Sequence, residues 1–183
     1  MSTLVKKIHN LLIGNGLSSL SDEELIILFK EYFEQTNDFV RSSIYWMVRS
    51  SDVEDLVQES YLKAWKSFRF FDQKSSFKTW IYRIAMNTTY DYLRKSKEVN
   101  SQETIDSSSG ISDDLSDKDL VTKSLMELSI KHREVFILFY KFDYKIDEIA
   151  DTLSVPSGTV KSRLNKARDV FKNAIAIHGD GHE

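Results

Sequence analysis

From Val155 to Arg168 the chain reads VPSGTVKSRLNKAR. Wound as a helix at about 100° per residue, it places Gly158, Ser162 and Asn165 in one row. The apolar stripe Val160, Leu164, Ala167 and Phe171 lies opposite. Lys161 and Arg168 flank the polar row on one side, and Thr159, Arg163 and Lys166 on the other. Such a face suits a duplex major groove: cations on the shoulders neutralise the phosphate walls, while a hydroxyl and an amide reach base edges. Gly158 removes bulk where the helix end must approach DNA. Pro156 fits a helix start, where its missing N–H costs nothing.

A second cluster lies upstream. Residues 61–92 hold ten aromatics: Tyr61, Trp65, Phe68, Phe70, Phe71, Phe77, Trp80, Tyr82, Tyr90 and Tyr92. Over 61–97 there are nine basic and two acidic side chains. Ile81, Ile84, Ala85, Thr88 and Tyr92 form a stripe expected to be buried, which leaves Arg83, Asn87, Tyr90 and Arg94 on the opposite face. Rings interleaved with cations suit a single strand, whose bases stack and whose phosphates need countercharge. In DVEDLVQESYLKAW, Val53, Leu56, Val57, Ser60 and Ala64 make one stripe, with Asp55, Gln58, Glu59 and Leu62 toward another side. Taken alone, those polar groups read first as a solvated face, and second as partners for arginines of another helix. As a metal site, Asp52, Asp55 and Glu59 lack a histidine or a second carboxylate helix. His178, Asp180 and His182 fall in a terminal segment expected to fray.

The elements that must position these residues read as helices throughout. There is one proline, and strand-type alternation between turns is scarce, so the expected class is all-α. Ser21 and Glu24 make a capping box that opens a helix with Leu25, Leu28, Phe29 and Tyr32 inward. A separate apolar helix is expected through DFVRSSIYWMVRS, and a short one near residues 4–13. The helix after it is expected to be capped by Ser51 or Asp52, and RFFDQKSSF reads as a loop. Residues 97–118, rich in serine and acid, cannot bury enough surface to fold alone and read as a flexible acidic linker. The expected division is an N-terminal helical domain (1–96), the linker (97–118), a C-terminal helix-turn-helix domain (119–177) and a tail (178–183). In the last domain KIDEIADTLSV makes a short helix with Ile146, Ile149, Ala150 and Leu153 inward. A tight turn and the cationic helix follow. Ala150 is small where the two helices cross.

The net charge of −3 conceals segregation: −5 over 1–60, +7 over 61–97, −6 over 98–119, −1 over 120–156 and +2 over 157–183. Two basic islands imply two polyanion contacts. The chain has no cysteine, which excludes disulfides and thiolate chemistry and fits a reducing compartment. No apolar run is long enough to span a membrane, and the first residues do not make a signal peptide. A cytoplasmic protein is expected.

DVEDLVQESYLKAW, SSFKTWIYRIAMNTTYDYLRK and REVFILFYKFDYKIDEIADTLSVPSGTVKSRLNKAR, in that order, resemble the extracytoplasmic-function group of bacterial RNA polymerase sigma factors over about residues 20–175. The resemblance implies a promoter-specificity subunit rather than an enzyme, with no cofactor. Its partners would be core RNA polymerase, promoter DNA and an anti-sigma factor. It assigns Asp55, Gln58, Glu59 and Trp65 to the polymerase clamp helices. It assigns the −10 element to the loop aromatic Phe71 and to Asn87, with Trp80, Arg83, Tyr90 and Arg94 on the same helix. Ser162 and Asn165 go to −35 base edges, with an adenine expected opposite Asn165. Lys161, Arg163 and Lys166 go to phosphates, and Gly158, Thr159 and Arg168 complete the face. The alternative, a stand-alone helix-turn-helix regulator, leaves the aromatic block unexplained. The chain departs from the family pattern at Asp72 and Gln73, where Arg-Gly is usual. Ser129 stands where a proline is usual, and Ser154 where a glycine is usual.

Overall fold

The computed structural model describes residues 17–102 and 117–179. The described residues form seven α-helices and no strand: α1 (Asp22–Val48), α2 (Val53–Phe68), α3 (Phe77–Gln102), α4 (Asp117–Met126), α5 (Ile130–Tyr140), α6 (Ile146–Leu153) and α7 (Ser157–Gly179). The expected all-α class holds. The chain divides into two compact units, Met1–Arg94 and Lys95–Glu183. The helix expected near residues 4–13, linker residues 103–116 and the end of the tail, 180–183, lie outside the described residues.

In the first unit the Ser21 box forms as expected. The Glu24 N–H donates to Ser21 Oγ at 3.2 Å, and the Ser21 N–H to Glu24 Oε2 at 2.9 Å. The two helices expected before residue 50 are one, α1. Gln35–Asp38 contain no glycine or proline, and Thr36 is buried within the helix. Its hydroxyl donates to Tyr32 O at 2.6 Å and is hydrogen-bonded to the Tyr61 hydroxyl at 2.8 Å. α1 ends at Arg49, whose left-handed backbone (φ 53°) would favour glycine. The Arg49 guanidinium lies 4.3 Å from the Tyr45 ring centroid and 5.2 Å from that of Trp46, contacts that offset the strain.

α2 buries the stripe read from the sequence, Val53, Leu56, Val57, Ser60 and Ala64. Its N-cap is Asp52, but the carboxylate does not bond the helix. It accepts instead from the Tyr92 hydroxyl of α3 at 2.5 Å and from Ser50 Oγ at 2.9 Å, pinning the start of α2 to α3. Just before α3, the Ser76 hydroxyl accepts from the Thr79 N–H at 3.1 Å. Its buried row is Ile81, Tyr82, Ala85, Met86, Thr88 and Thr89; Ile84 and Tyr92, expected inward, are only half-buried. α3 also runs past residue 96 to Gln102. The good helix formers Lys97, Glu98 and Gln102 carry it into the segment read as linker.

The second unit is built around α7, against which α4, α5 and α6 pack. Arg133 of α5 is 7% exposed. Its guanidinium donates to the carbonyls of Leu125 (2.9 Å), Met126 (2.8 Å) and Leu128 (3.1 Å), closing the C-terminus of α4 with a cation. Ile149 and Ala150 of α6 are buried as expected; Ile146 and Leu153 are only partly so. Ser154 ends α6 in the left-handed region (φ 54°), and the Val155 N–H returns to Ala150 O at 3.0 Å. Pro156 O then accepts from Thr159 N–H (2.9 Å) and Val160 N–H (3.2 Å), starting α7 at the next residue, Ser157. α6, this turn and α7 are the helix-turn-helix.

Candidate nucleic-acid and partner interfaces

α7 buries Val160, Leu164 and Ala167, while Phe171 is half-buried with its ring 4.7 Å from that of Phe136. That fixes the rotation of the helix about its axis. Gly158, Ser162 and Asn165 are all exposed, as are Lys161, Lys166 and Arg168; Thr159 and Arg163 are partly exposed. A Cβ built on Gly158 meets nothing within 4 Å, so the protein itself has no packing need for glycine there. Arg168 is not a loose cation. Its Nε donates to the Tyr140 hydroxyl at 2.8 Å and an Nη to Asn165 Oδ1 at 3.3 Å, so it orients the Asn165 amide. His178, read as tail, lies in the last turn of α7, with Nε2 3.9 Å from Glu127 Oε1.

The aromatic block divides. Tyr61, Phe68, Phe71, Phe77 and Tyr82 are core residues. Phe68 and Phe77 meet edge to face at 5.8 Å, and Tyr32 stacks on Phe77 at 4.4 Å. Phe71, the ring expected at DNA, is only 6% exposed and lies 4.8 Å from Trp80, whereas Phe70 is 82% exposed. Neighbouring loop positions point oppositely, and the hydrophobic effect drew one ring into the wall of α3. Phe71 therefore packs on Trp80, and Phe70 is the ring that the loop leaves in solvent. Asn87 and Arg94 are exposed, and Trp80, Arg83 and Tyr90 half-exposed. Arg94 pairs with Asp91 at 3.0 Å. The loop is tied by Asp72, whose carboxylate accepts from the Lys74 N–H at 3.2 Å and from Lys74 Nζ at 2.9 Å. Those contacts hold the Asp72 carboxyl below its ordinary range.

α1 and α2 enclose an open, mainly apolar groove of about 630 Å³. Its rim carries exposed apolar side chains: Ile26 (54%), Phe33, Leu62 (61%) and Trp65 (40%). Gln58 lines it, and Asp55 and Glu59 are exposed on the same helix. Glu59 is paired with Lys63 at 2.7 Å, and Lys63 also donates to Thr88 Oγ1 at 3.1 Å. Arg41 and Glu54 form an ion pair across the groove wall. Buried Tyr61 floors it, its hydroxyl pushed up to about 12 by desolvation. Nothing in the sequence marks Ile26 and Phe33: the groove joins two segments far apart in the chain, and only the packing of α1 on α2 reveals it.

Residues 32–99 match Sigma-70 region 2, and residues 118–169 match Sigma-70 region 4. The RNA polymerase sigma factor SigV of Bacillus subtilis is 34% identical over 142 residues, covering 76% of this chain and 85% of that protein. This chain belongs to the extracytoplasmic-function sigma factors. The ECF sigma factor SigW of the same organism is 30% identical, over 68% of this chain and 75% of that protein. Among solved structures, the sigma factor RpoE bound to the anti-sigma factor NepR, from Bartonella quintana, superposes with a TM-score of 0.67. It is 25% identical and spans 81% of this chain and 97% of that one. CnrH in complex with the cytosolic domain of CnrY has the same fold, with a TM-score of 0.62 and 19% identity.

As a sigma factor the chain acts in transcription initiation, which displaces the stand-alone regulator. At three of the four departures from the family pattern the backbone angle is informative. Gln73 and Ser154, at positions where glycine is usual, have φ of 57° and 54°. Ser129, where proline is usual, has φ −57°, close to the value a proline ring imposes. In all three places the backbone keeps the shape that the family residue favours, and this chain reaches it without that residue. Among the described residues no helix is long and apolar enough to cross a membrane.

Proposed function

We propose that the two units divide initiation between them. The first binds core polymerase and the −10 element, the second binds the −35 element, and residues 97–118 connect them. A clamp helix of the polymerase's largest subunit fills the groove of α1 and α2. Leu62, Trp65, Ile26 and Phe33 supply apolar area, Asp55 and Glu59 fix its register by pairing with its cations, and Gln58 adds a hydrogen bond. α7 enters the major groove. Ser162 and Asn165 meet base edges, Asn165 against an adenine with Arg168 holding its amide. Lys161, Arg163, Lys166 and Thr159 meet phosphates beside the close approach at Gly158. The loop before α3 captures a flipped non-template base: Phe70 stacks, Trp80 is held by Phe71, and Asn87 contacts the base edge. Arg83, Tyr90 and Arg94 track the strand.

The chain is a specificity subunit of the cytoplasm and carries out no catalysis itself. In the free state one small cationic face gives weak, salt-sensitive DNA binding. Polymerase, by fixing both units, makes binding bivalent and tight. The exposed groove also suits an anti-sigma factor, the kind of partner seen with the RpoE relative.

The observation that carries this reading is the polar row Gly158, Ser162, Asn165 held outward between cationic shoulders, in a chain that also has the region 2 unit. A double dissociation tests it. Trp65→Ala should weaken capture of sigma-free core polymerase by tenfold or more, as loss of a buried aromatic anchor does, while Asn165→Ala leaves capture intact and abolishes −35 selectivity of the assembled complex. Equal effects of both substitutions on capture would overturn the division of labour.

A further inference from the structure

Arg168 joins α5 to the polar row of α7 through hydrogen bonds to neutral groups. Its Nε donates to the Tyr140 hydroxyl at 2.8 Å, and an Nη donates to Asn165 Oδ1 at 3.3 Å. The ion pairs of the described residues do not include it. The guanidinium also lies 5.4 Å from the Phe139 ring centroid and 5.8 Å from that of Tyr140. The Tyr140 ring is placed in turn by Phe136, at 4.5 Å, which packs on Phe171 of α7 at 4.7 Å. Tyr140 is nonetheless 53% exposed, so the core has no need of its hydroxyl. A hydroxyl of α5 thus fixes a cation of α7, and that cation fixes the oxygen of an amide one turn earlier on the same helix.

We propose that Tyr140 is a positioning residue for base choice: through Arg168 it holds the Asn165 amide in the orientation that accepts adenine and rejects guanine. The inference rests on the duplex-binding role proposed for α7. An amide meets adenine with two hydrogen bonds, its oxygen accepting from N6–H and its NH2 donating to N7. The amide oxygen has two lone pairs, so Arg168 takes one and adenine the other. Guanine offers acceptors at both places, O6 and N7. A free amide turns about its last bond, a soft torsion, until its oxygen faces away and its NH2 serves both acceptors. An amide whose oxygen is held by Arg168 keeps that oxygen against O6, acceptor facing acceptor. Loss of the hold therefore admits guanine rather than abolishing binding.

The test assembles the full chain with sigma-free bacterial core polymerase and selects bound duplexes from a library randomised over both upstream elements. The position read by Asn165 is the one whose preference Asn165→Ala erases. There the wild type should favour adenine over guanine by about tenfold, the size of one bidentate pair. Tyr140→Phe keeps the ring and removes only the hydroxyl. It should cut that ratio by about fivefold, the worth of one hydrogen bond, by raising guanine, with preferences elsewhere and Tm unchanged. Arg168→Lys should do the same, since one ammonium does not span both partners. In the free chain, NMR should show the Arg168 Nε–H exchanging with water more slowly in the wild type than in Tyr140→Phe; equal rates would overturn the contact itself. If Asn165→Ala erases a preference and Tyr140→Phe leaves the adenine-to-guanine ratio as it was, Tyr140 has no positioning role. A uniform loss of selectivity at every position would assign Tyr140 to folding and overturn the inference as well. If Asn165→Ala changes no position, the DNA face of α7 is wrong, and the hold on its amide falls with it.

Discussion

Replacing Arg133 by methionine should destabilise the second unit and spare the first. The guanidinium makes three hydrogen bonds of 2.8–3.1 Å to the carbonyls that end α4 and the turn after it. Methionine keeps much of the side-chain volume and removes the donors. Each buried carbonyl left without a partner costs about 1–3 kcal/mol. Against this, the desolvation of the guanidinium is recovered, which burial makes large enough to depress its proton affinity. We place the net loss at about 3 kcal/mol, within the ~3–5 kcal/mol typical of breaking a buried charged contact. For a unit of this size that lowers Tm by about 12–24 °C, at ~4–8 °C per kcal/mol. Lysine should recover less than half, because one ammonium cannot reach three carbonyls that face different ways. The assay separates the units: all three tryptophans, Trp46, Trp65 and Trp80, lie in the first. Tryptophan fluorescence therefore follows that unit, and far-ultraviolet circular dichroism follows both. The expected outcome is a new early transition in dichroism with the fluorescence midpoint unchanged. A loss under about 1 kcal/mol, or a fluorescence transition that shifts equally, would refute the closing role of Arg133.

Ser154→Gly should stabilise the second unit, and Gln73→Gly the first, each by about 0.5–1 kcal/mol in urea unfolding, since glycine adopts φ near +55° without strain. Tyr92→Phe removes the hydrogen bond that does most to hold the Asp52 carboxyl below its ordinary value. A depressed carboxyl contributes stability above its unfolded value near 3.8 and loses it as pH falls through the lower folded one. The variant's Asp52, followed by carboxyl NMR, should therefore titrate nearer 3.8, and its share of acid resistance below that pH should shrink. Phe70→Ala should leave Tm unchanged, because its ring is in solvent, and reduce promoter opening; Phe71→Ala should cost about 3–5 kcal/mol of stability.

The face of α7 was legible because one period of 3.6 sets both what is buried and what is offered, and a turn fixes where the count begins. The stripe of α2 was legible for the same reason. Aromatic content was not: a phenyl ring suits a core and a stacked base equally, and only packing separates Phe70 from Phe71. The continuity of α1 was hidden because Asn37 and Asp38 imitate a helix start, while Thr36 turns its hydroxyl back into the helix. Arg133 was invisible as a cap, since its partners are backbone carbonyls that no residue type encodes. The groove was hidden by distance along the chain, Ile26 and Phe33 lying on one helix and Leu62 and Trp65 on the next.

The central claim is that this chain gives core polymerase its promoter choice. The most direct measurement adds the purified chain to sigma-free bacterial core polymerase with fragmented genomic DNA from its own source and maps transcript 5′ ends. The expected result is a discrete set of new starts sharing two upstream elements. Asn165→Ala should relax the distal element and Asn87→Ala should abolish opening at the proximal one. Starts that do not depend on the chain, or that share no upstream element, would contradict the account.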